Sequence, residues 1–278
     1  MTDKHRARLM LRDQSQLIRL GSAKGAKILA PFLKIAIRHF RDGRDPTPII
    51  LQGLDKLKDT LVTLMESGHS AGVSRTKTNA PLKLSFSSTT TFLKKKAKLT
   101  EAQVIALEAQ YSVEAARVIP KLKGKVDKAL RAEIEIIGSQ GLTTRDGIIA
   151  LKKSFVNIGL VPKSNHAIEA VFRTQTQIAY SAGRWDAEQS PEIQEILWGY
   201  KYVTVGDDRV RDEHAALDGT TLPKDDPFWD VAYPPNGWNC RCQVISVFEK
   251  REIKRPTGTA EIAPGFDFNP GKLFATIK

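Results

Sequence analysis

No apolar run in this chain approaches the roughly 20 residues needed to cross a bilayer. The basic N-terminus also lacks the apolar core and small-residue cleavage site of a secretory signal, so neither membrane insertion nor export is expected. Cysteine is scarce. Cys240 and Cys242 are the only two, and their one-residue separation bridges only under strain. That spacing argues against a structural disulfide and fits an intracellular assembly compartment. The signatures of nucleophilic catalysis are missing as well: there is no Gly-x-Ser-x-Gly, no phosphate-binding glycine-rich loop and no cysteine with a triad around it. No catalytic residue is therefore assigned. With 41% hydrophobic residues over 278 positions, the chain can bury one large core or two small ones.

The charge that is present is unevenly placed. Residues 1–98 hold 20 Lys+Arg against 7 Asp+Glu, whereas residues 99–278 hold 23 against 24. The whole net charge of +12 thus belongs to the first third, which includes the cluster Lys94, Lys95, Lys96 and Lys98. Such a segment suits double-stranded DNA, whose phosphates attract it without regard to sequence, or equally an acidic protein surface. It lacks the interleaved aromatics that stack on unpaired bases.

Hydrophobic periodicity divides the chain into four parts. Residues 1–70 read as a basic helical arm in two pieces, separated by the polar break from Arg41 to Pro48 and ending at Ser67-Gly68. Residues 71–98 lose the pattern and read as a linker or extended arm. Residues 99–196 form a helical platform. There Thr100 to Gln103 has the form of a capping box, Pro120 breaks or kinks the first helix, a second runs from Leu122 to Ile137, Thr143 or Thr144 caps a third, and a fourth extends to Glu188. In residues 197–278 the period becomes strand-like around Tyr200 to Val205 and Cys240 to Phe248, with turns at Asp218-Gly219 and Pro234-Pro235. The expected fold is α+β, a mostly helical platform with a small antiparallel β C-terminal region.

The chemistry is concentrated between Tyr200 and Val247. On a strand, Cys240 and Cys242 share a face, and with His214 and a carboxylate from Asp207 or Asp208 they make a mixed donor set of the kind that holds zinc. Packed small hydrophobes and a hydrogen-bonded structural histidine are the plainer reading, and the two aspartates serve equally well as caps for a helical turn starting at Arg209. A second reading, a metal-dependent hydrolase such as a nuclease built from Asp207, Asp208, His214 and Asn239, lacks a general base beside Asn239.

The order Asp207-Asp208-Arg209-Val210-Arg211, His214, Leu217-Asp218-Gly219, Pro234-Pro235 and Asn239-Cys240-Arg241-Cys242 resembles the phage Mu F-like minor head protein family, also called the head-morphogenesis family. Arg173-Thr174-Gln175-Thr176 with Ala179 to Arg184, and the turn from Gly265 to Gly271, extend the resemblance over about residues 140–272. It implies a minor capsid protein associated with the portal vertex and with DNA packaging or delivery. The portal protein and other capsid proteins are the implied partners, and the virion the implied location. It further implies structural roles for Arg173, Thr176, Arg211, Pro234, Pro235, Asn239 and Arg241, with Arg173 and Thr176 on one side of their helix clamping the downstream motif.

Overall fold

The computed structural model describes residues 2–77, 100–160, 167–257 and 261–275. The cluster Lys94, Lys95, Lys96 and Lys98 lies outside them, as does most of the segment 71–98. Two compact units are present, and both are discontinuous in sequence. The first comprises residues 1–17, 65–107 and 173–278, the second residues 18–64 and 108–172. They cut across the linear division drawn at residues 70, 98 and 196.

The helices are longer than their sequence punctuation suggests. Helix α1 spans Asp3–Arg41 with Pro31 inside it, and α2 (Thr47–Asp55) and α3 (Lys58–Lys77) follow the expected polar break. Helix α4 spans Glu101–Ser139 and runs through Pro120, where a break or kink was expected. Pro31 and Pro120 are both exposed, and the carbonyls they leave unpaired, those of Lys27 and Ala116, belong to exposed residues that water can satisfy. Helix α3 likewise continues past Gly68 to Lys77, so residues 71–77 are helix rather than linker. Gly68 and Gly72 serve close packing instead of stopping the helix. A Cβ at Gly72 would overlap the Tyr180 carbonyl oxygen, and one at Gly183 would overlap that of His69.

Local capping determines the starts of the next helices. The Thr100 backbone N–H donates to Gln103 Oε1 at 2.9 Å while Gln103 N–H donates back to Thr100 Oγ1 at 3.2 Å, a reciprocal capping box. Thr143 caps α5 (Thr144–Asn157) by accepting from the Asp146 N–H. In the second unit Tyr111, Ala115, Val118, Leu122, Val126 and Leu130 recur every three or four residues along α4 and are buried with Leu151 and Phe155 of α5.

Helix α6 (Ala167–Glu188) leads through α7 (Pro191–Ile196) into the C-terminal part of the first unit. There β1 (Gly199–Val203) is the centre of a three-stranded antiparallel sheet in the order β2–β1–β3, with β2 at Thr221–Pro223 and β3 at Gln243–Val247. Lys201 pairs with Thr221 on one side and Ile245 on the other. Short helices α8 (Asp212–Ala215) and α9 (Phe228–Val231) fill the connections, and α10 (Pro270–Ala275) closes the chain. Among the described residues no helix is long and apolar enough to cross a membrane.

Alternation sorts the sheet residues. Tyr200, Tyr202 and Val244 enter an aromatic core with Trp185, Trp229, Tyr233, Leu217 and both cysteines, while Val203 and Ile245 turn to the other face and pack on Ala7 of α1. The outer edge of β2 is covered too: Thr221 and Lys254 exchange backbone hydrogen bonds at 2.8 and 2.9 Å, which removes an open template for strand addition.

Candidate metal centre

His214, Cys240 and Cys242 come together in the core of the first unit, each no more than 3% exposed. His214 sits on α8, the short helix expected near Arg209. The cysteines are not in a strand, as their spacing suggested, but immediately precede β3, because Asn239 takes a left-handed conformation with φ 58°. Asparagine tolerates that conformation better than most residues. The bend turns both thiols inward without the alternation of a strand. Gly237 makes room beside it, since a Cβ there would meet the Arg211 guanidinium.

The ring nitrogen His214 Nδ1 lies 3.6 Å from Cys240 Sγ and 3.5 Å from Cys242 Sγ. On the other side of the ring, Arg211 places an N–H 3.0 Å from Nε2 and another 3.0 Å from the Trp238 carbonyl oxygen. Arginine only donates, so Nε2 accepts and the ring proton sits on Nδ1, facing the sulfurs. The thiols are free and unequal. Burial raises the Cys240 pKa, but hydrogen bonds from Cys242 and His214 and from the Asn236 backbone N–H outweigh it and hold Cys240 well below an ordinary thiol. Cys242 is pushed well above, first by its hydrogen bond to Cys240 and then by burial. Tyr202 touches the same place: its hydroxyl donates to Asn236 Oδ1 at 2.8 Å, and burial together with the two thiols holds its pKa well above normal.

The two aspartates are not part of this cluster. Asp207 is held by Arg241 through two hydrogen bonds and accepts from the Arg209 backbone N–H at 3.2 Å, so it acts as the turn cap that was its alternative reading. Asp208 is exposed. Of the residues of the hydrolase reading, Asp208 and Asn239 are exposed and His214 is buried. Among the described residues, His214, Cys240 and Cys242 are the group whose donor atoms lie close enough together to hold a metal ion, all within 4.8 Å of one another.

Three further residues of α6 tie the motif down. Thr174 Oγ1 accepts from the Asn239 N–H at 3.1 Å, Gln177 Nε2 donates to the Cys242 carbonyl at 2.9 Å, and Arg184 donates to the Val244 carbonyl at 2.9 Å. Thr176 is buried against α3, its carbonyl 3.0 Å from where a Cβ of Gly68 would stand. Arg173 is half-buried at the start of this polar run. Pro234 and Pro235 are buried and joined by a cis peptide bond. Sequence reasoning missed Thr174, Gln177 and Arg184 as the tethers. The available signal was the uninterrupted polar stretch Thr174 to Gln177, which is incompatible with a one-sided amphipathic helix and signals a turn buried on every side.

Comparison with known proteins falls on this same region. A family model described as "Phage Mu protein F like protein" matches residues 125–245. The chain is 30% identical over 172 residues to the "Putative capsid assembly protein F" of Escherichia phage Mu, covering 53% of this chain and 39% of that protein. It is 40% identical over 86 residues to the "Mu-like prophage FluMu F protein" of Haemophilus influenzae, covering 31% of this chain and 20% of that one. Residues 125–245 are thus similar to the Mu F-like family, as the motif suggested. The chain's matches span well under half the length of these two relatives. No solved structure matches it.

Proposed function

We propose that this chain is a minor capsid, head-morphogenesis component of a tailed phage or prophage, seated at the portal vertex and engaged in DNA packaging or delivery. The observation that carries the reading is the match of residues 125–245 to the Mu F-like family, together with the capsid-assembly name of the phage Mu relative. The use of the motif residues agrees with it. Asp207, Arg241, Thr174, Gln177 and Asn239 are occupied in fastening a loop, and none is presented with a second reactive group in an open cleft. The chain works by holding a shape that portal and capsid proteins meet, and the basic residues of its first third supply charge for DNA or an acidic protein surface.

The test is to follow the protein through assembly. Particles from a prophage carrying a deletion of this gene should be defective in head formation or infectivity, and an epitope-labelled copy should localise to one vertex by particle reconstruction. A protein absent from purified heads at every stage of assembly would overturn the proposal. So would a folded Asp208→Ala or His214→Ala variant that loses a robust metal-dependent DNA cleavage seen in the parent, a result that would favour the hydrolase.

A further inference from the structure

We propose that His214 Nδ1, Cys240 Sγ and Cys242 Sγ are three protein ligands of one zinc-class divalent cation, which fastens helix α8 to the segment leading into strand β3. The distances carry the argument. A tetrahedral zinc with Zn–S of about 2.3 Å and Zn–N of about 2.0–2.1 Å holds its nitrogen and sulfur ligands about 3.5 Å apart, and the observed separations are 3.5 and 3.6 Å. Both are at the long end for a single hydrogen bond from one N–H, which cannot point at two sulfurs at once. Burial adds a second argument. Two sulfurs and an imidazole nitrogen, none more than 3% exposed, form a soft donor set that selects zinc over magnesium or calcium.

The charges balance. Binding releases the protons that the two thiols hold to solvent and moves the His214 ring proton from Nδ1 to Nε2, so a cation of charge +2 meets two thiolates and the centre is neutral. A fourth position remains, and water is its natural occupant. Asn236 Nδ2 is buried without a hydrogen-bond partner among the described residues, on the same amide whose oxygen accepts from Tyr202 beside the thiols. A ligated water supplies the acceptor that this donor lacks.

Arg211 is the brake on the site. Once Nδ1 binds metal, Nε2 carries the proton and needs an acceptor, yet Arg211 offers it only another donor. The Arg211 side chain must therefore swing away, towards Glu213, to which it is already paired at 3.2 Å. Substituting a residue able to accept at this position should strengthen binding.

The experiment uses tag-free full-length chain purified without chelator. Elemental analysis should give about one zinc per chain, and Co²⁺ exchanged into the stripped protein should show thiolate-to-metal charge transfer and tetrahedral d–d absorption. Cys242→Ser and His214→Ala should drop the bound metal below a tenth per chain, and Arg211→Gln should tighten Co²⁺ binding at least tenfold. If a cysteine variant fails to fold, the Co²⁺ spectrum of the parent and the Arg211→Gln affinity still decide the matter. A parent chain that purifies without metal, shows no charge-transfer band with excess Co²⁺ and gains no thermal stability from added Zn²⁺ would refute the site and leave two buried cysteines packed beside a hydrogen-bonded histidine.

Discussion

Arg241 grips Asp207 with both arms of its guanidinium, NH1 to Oδ2 at 2.5 Å and NH2 to Oδ1 at 2.6 Å. This fork-on-carboxylate geometry ties the residue between the two cysteines to the turn that leads into α8. The Asp207 pKa is well below the usual carboxylate range, first because of the hydrogen bonds from Arg241, against a smaller opposing effect of burial, and then through the Arg209 backbone N–H. A folded pKa below the unfolded one stabilises the fold fully above about pH 4, and the contribution fades as the pH falls through the depressed value. Asp207→Asn should cost about 1 kcal/mol at neutral pH, a modest figure because solvent screens the partly exposed pair. In urea melts, the gap to the parent should narrow as the pH is lowered from 4 towards 2. A gap independent of pH would dissociate the turn from this ion pair.

A second expectation concerns the buried pair on α6. Arg184 donates to Glu188 Oε1 at 2.8 Å, to Ser246 Oγ at 3.0 Å and to the Val244 carbonyl, with Glu188 fully buried. Arg184→Leu strands that carboxylate and should cost about 3–5 kcal/mol. The double variant Arg184→Leu/Glu188→Leu should recover a large part of the loss, because it removes the unpaired charge. Guanidinium denaturation of the three proteins measures the difference, and no recovery would mean that packing outweighs charge at this place.

Three helical glycines should respond to alanine with opposite signs. In α4, Gly124 faces open space, so Gly124→Ala should stabilise by about 0.5–1 kcal/mol through helix propensity alone. Gly72→Ala and Gly183→Ala drive a methyl into backbone of the neighbouring helix and should destabilise by about 1–3 kcal/mol or more. Thermal midpoints read the signs directly.

The closing turn is fastened by Asn269. Its Nδ2 donates to the Trp229 carbonyl at 2.9 Å, while its Oδ1 accepts from the Gly271 N–H at 2.9 Å at the start of α10. Asn269→Ala should cost about 1–2 kcal/mol and increase hydrogen exchange in residues 270–275. Unchanged exchange there would show that α10 is held by its apolar contacts alone.

What was legible in the sequence was what is decided locally. The caps at Thr100 and Thr143 depend on residues three positions apart; the first is present as read, and the second falls on Thr143 of the two threonines considered. Pro120 and Gly68 misled because proline and glycine are breakers only on average. An exposed proline leaves its unpaired carbonyl to water, and a glycine at a close crossing earns its place from the other helix. Strand β2 was missed because three residues ending in Pro223, among turn formers, carry no period. The grouping of His214 with the cysteines was visible as a donor set. The exclusion of Asp207 was not, because its partner Arg241 was read only as part of the motif.

Ala7 of the first helix packs on Val203 and Ile245, which puts the beginning and the end of the chain in one unit. During synthesis the apolar residues of that first segment, Ala7, Met10 and Leu17, therefore leave the ribosome more than 200 positions before Ile245 and must wait for it. The second unit, complete by residue 172, can close first. The first unit depends on pairings of long sequence separation, which form slowly. A nascent or truncated chain thus exposes an unpartnered helix face, and loss of either end should damage the same unit.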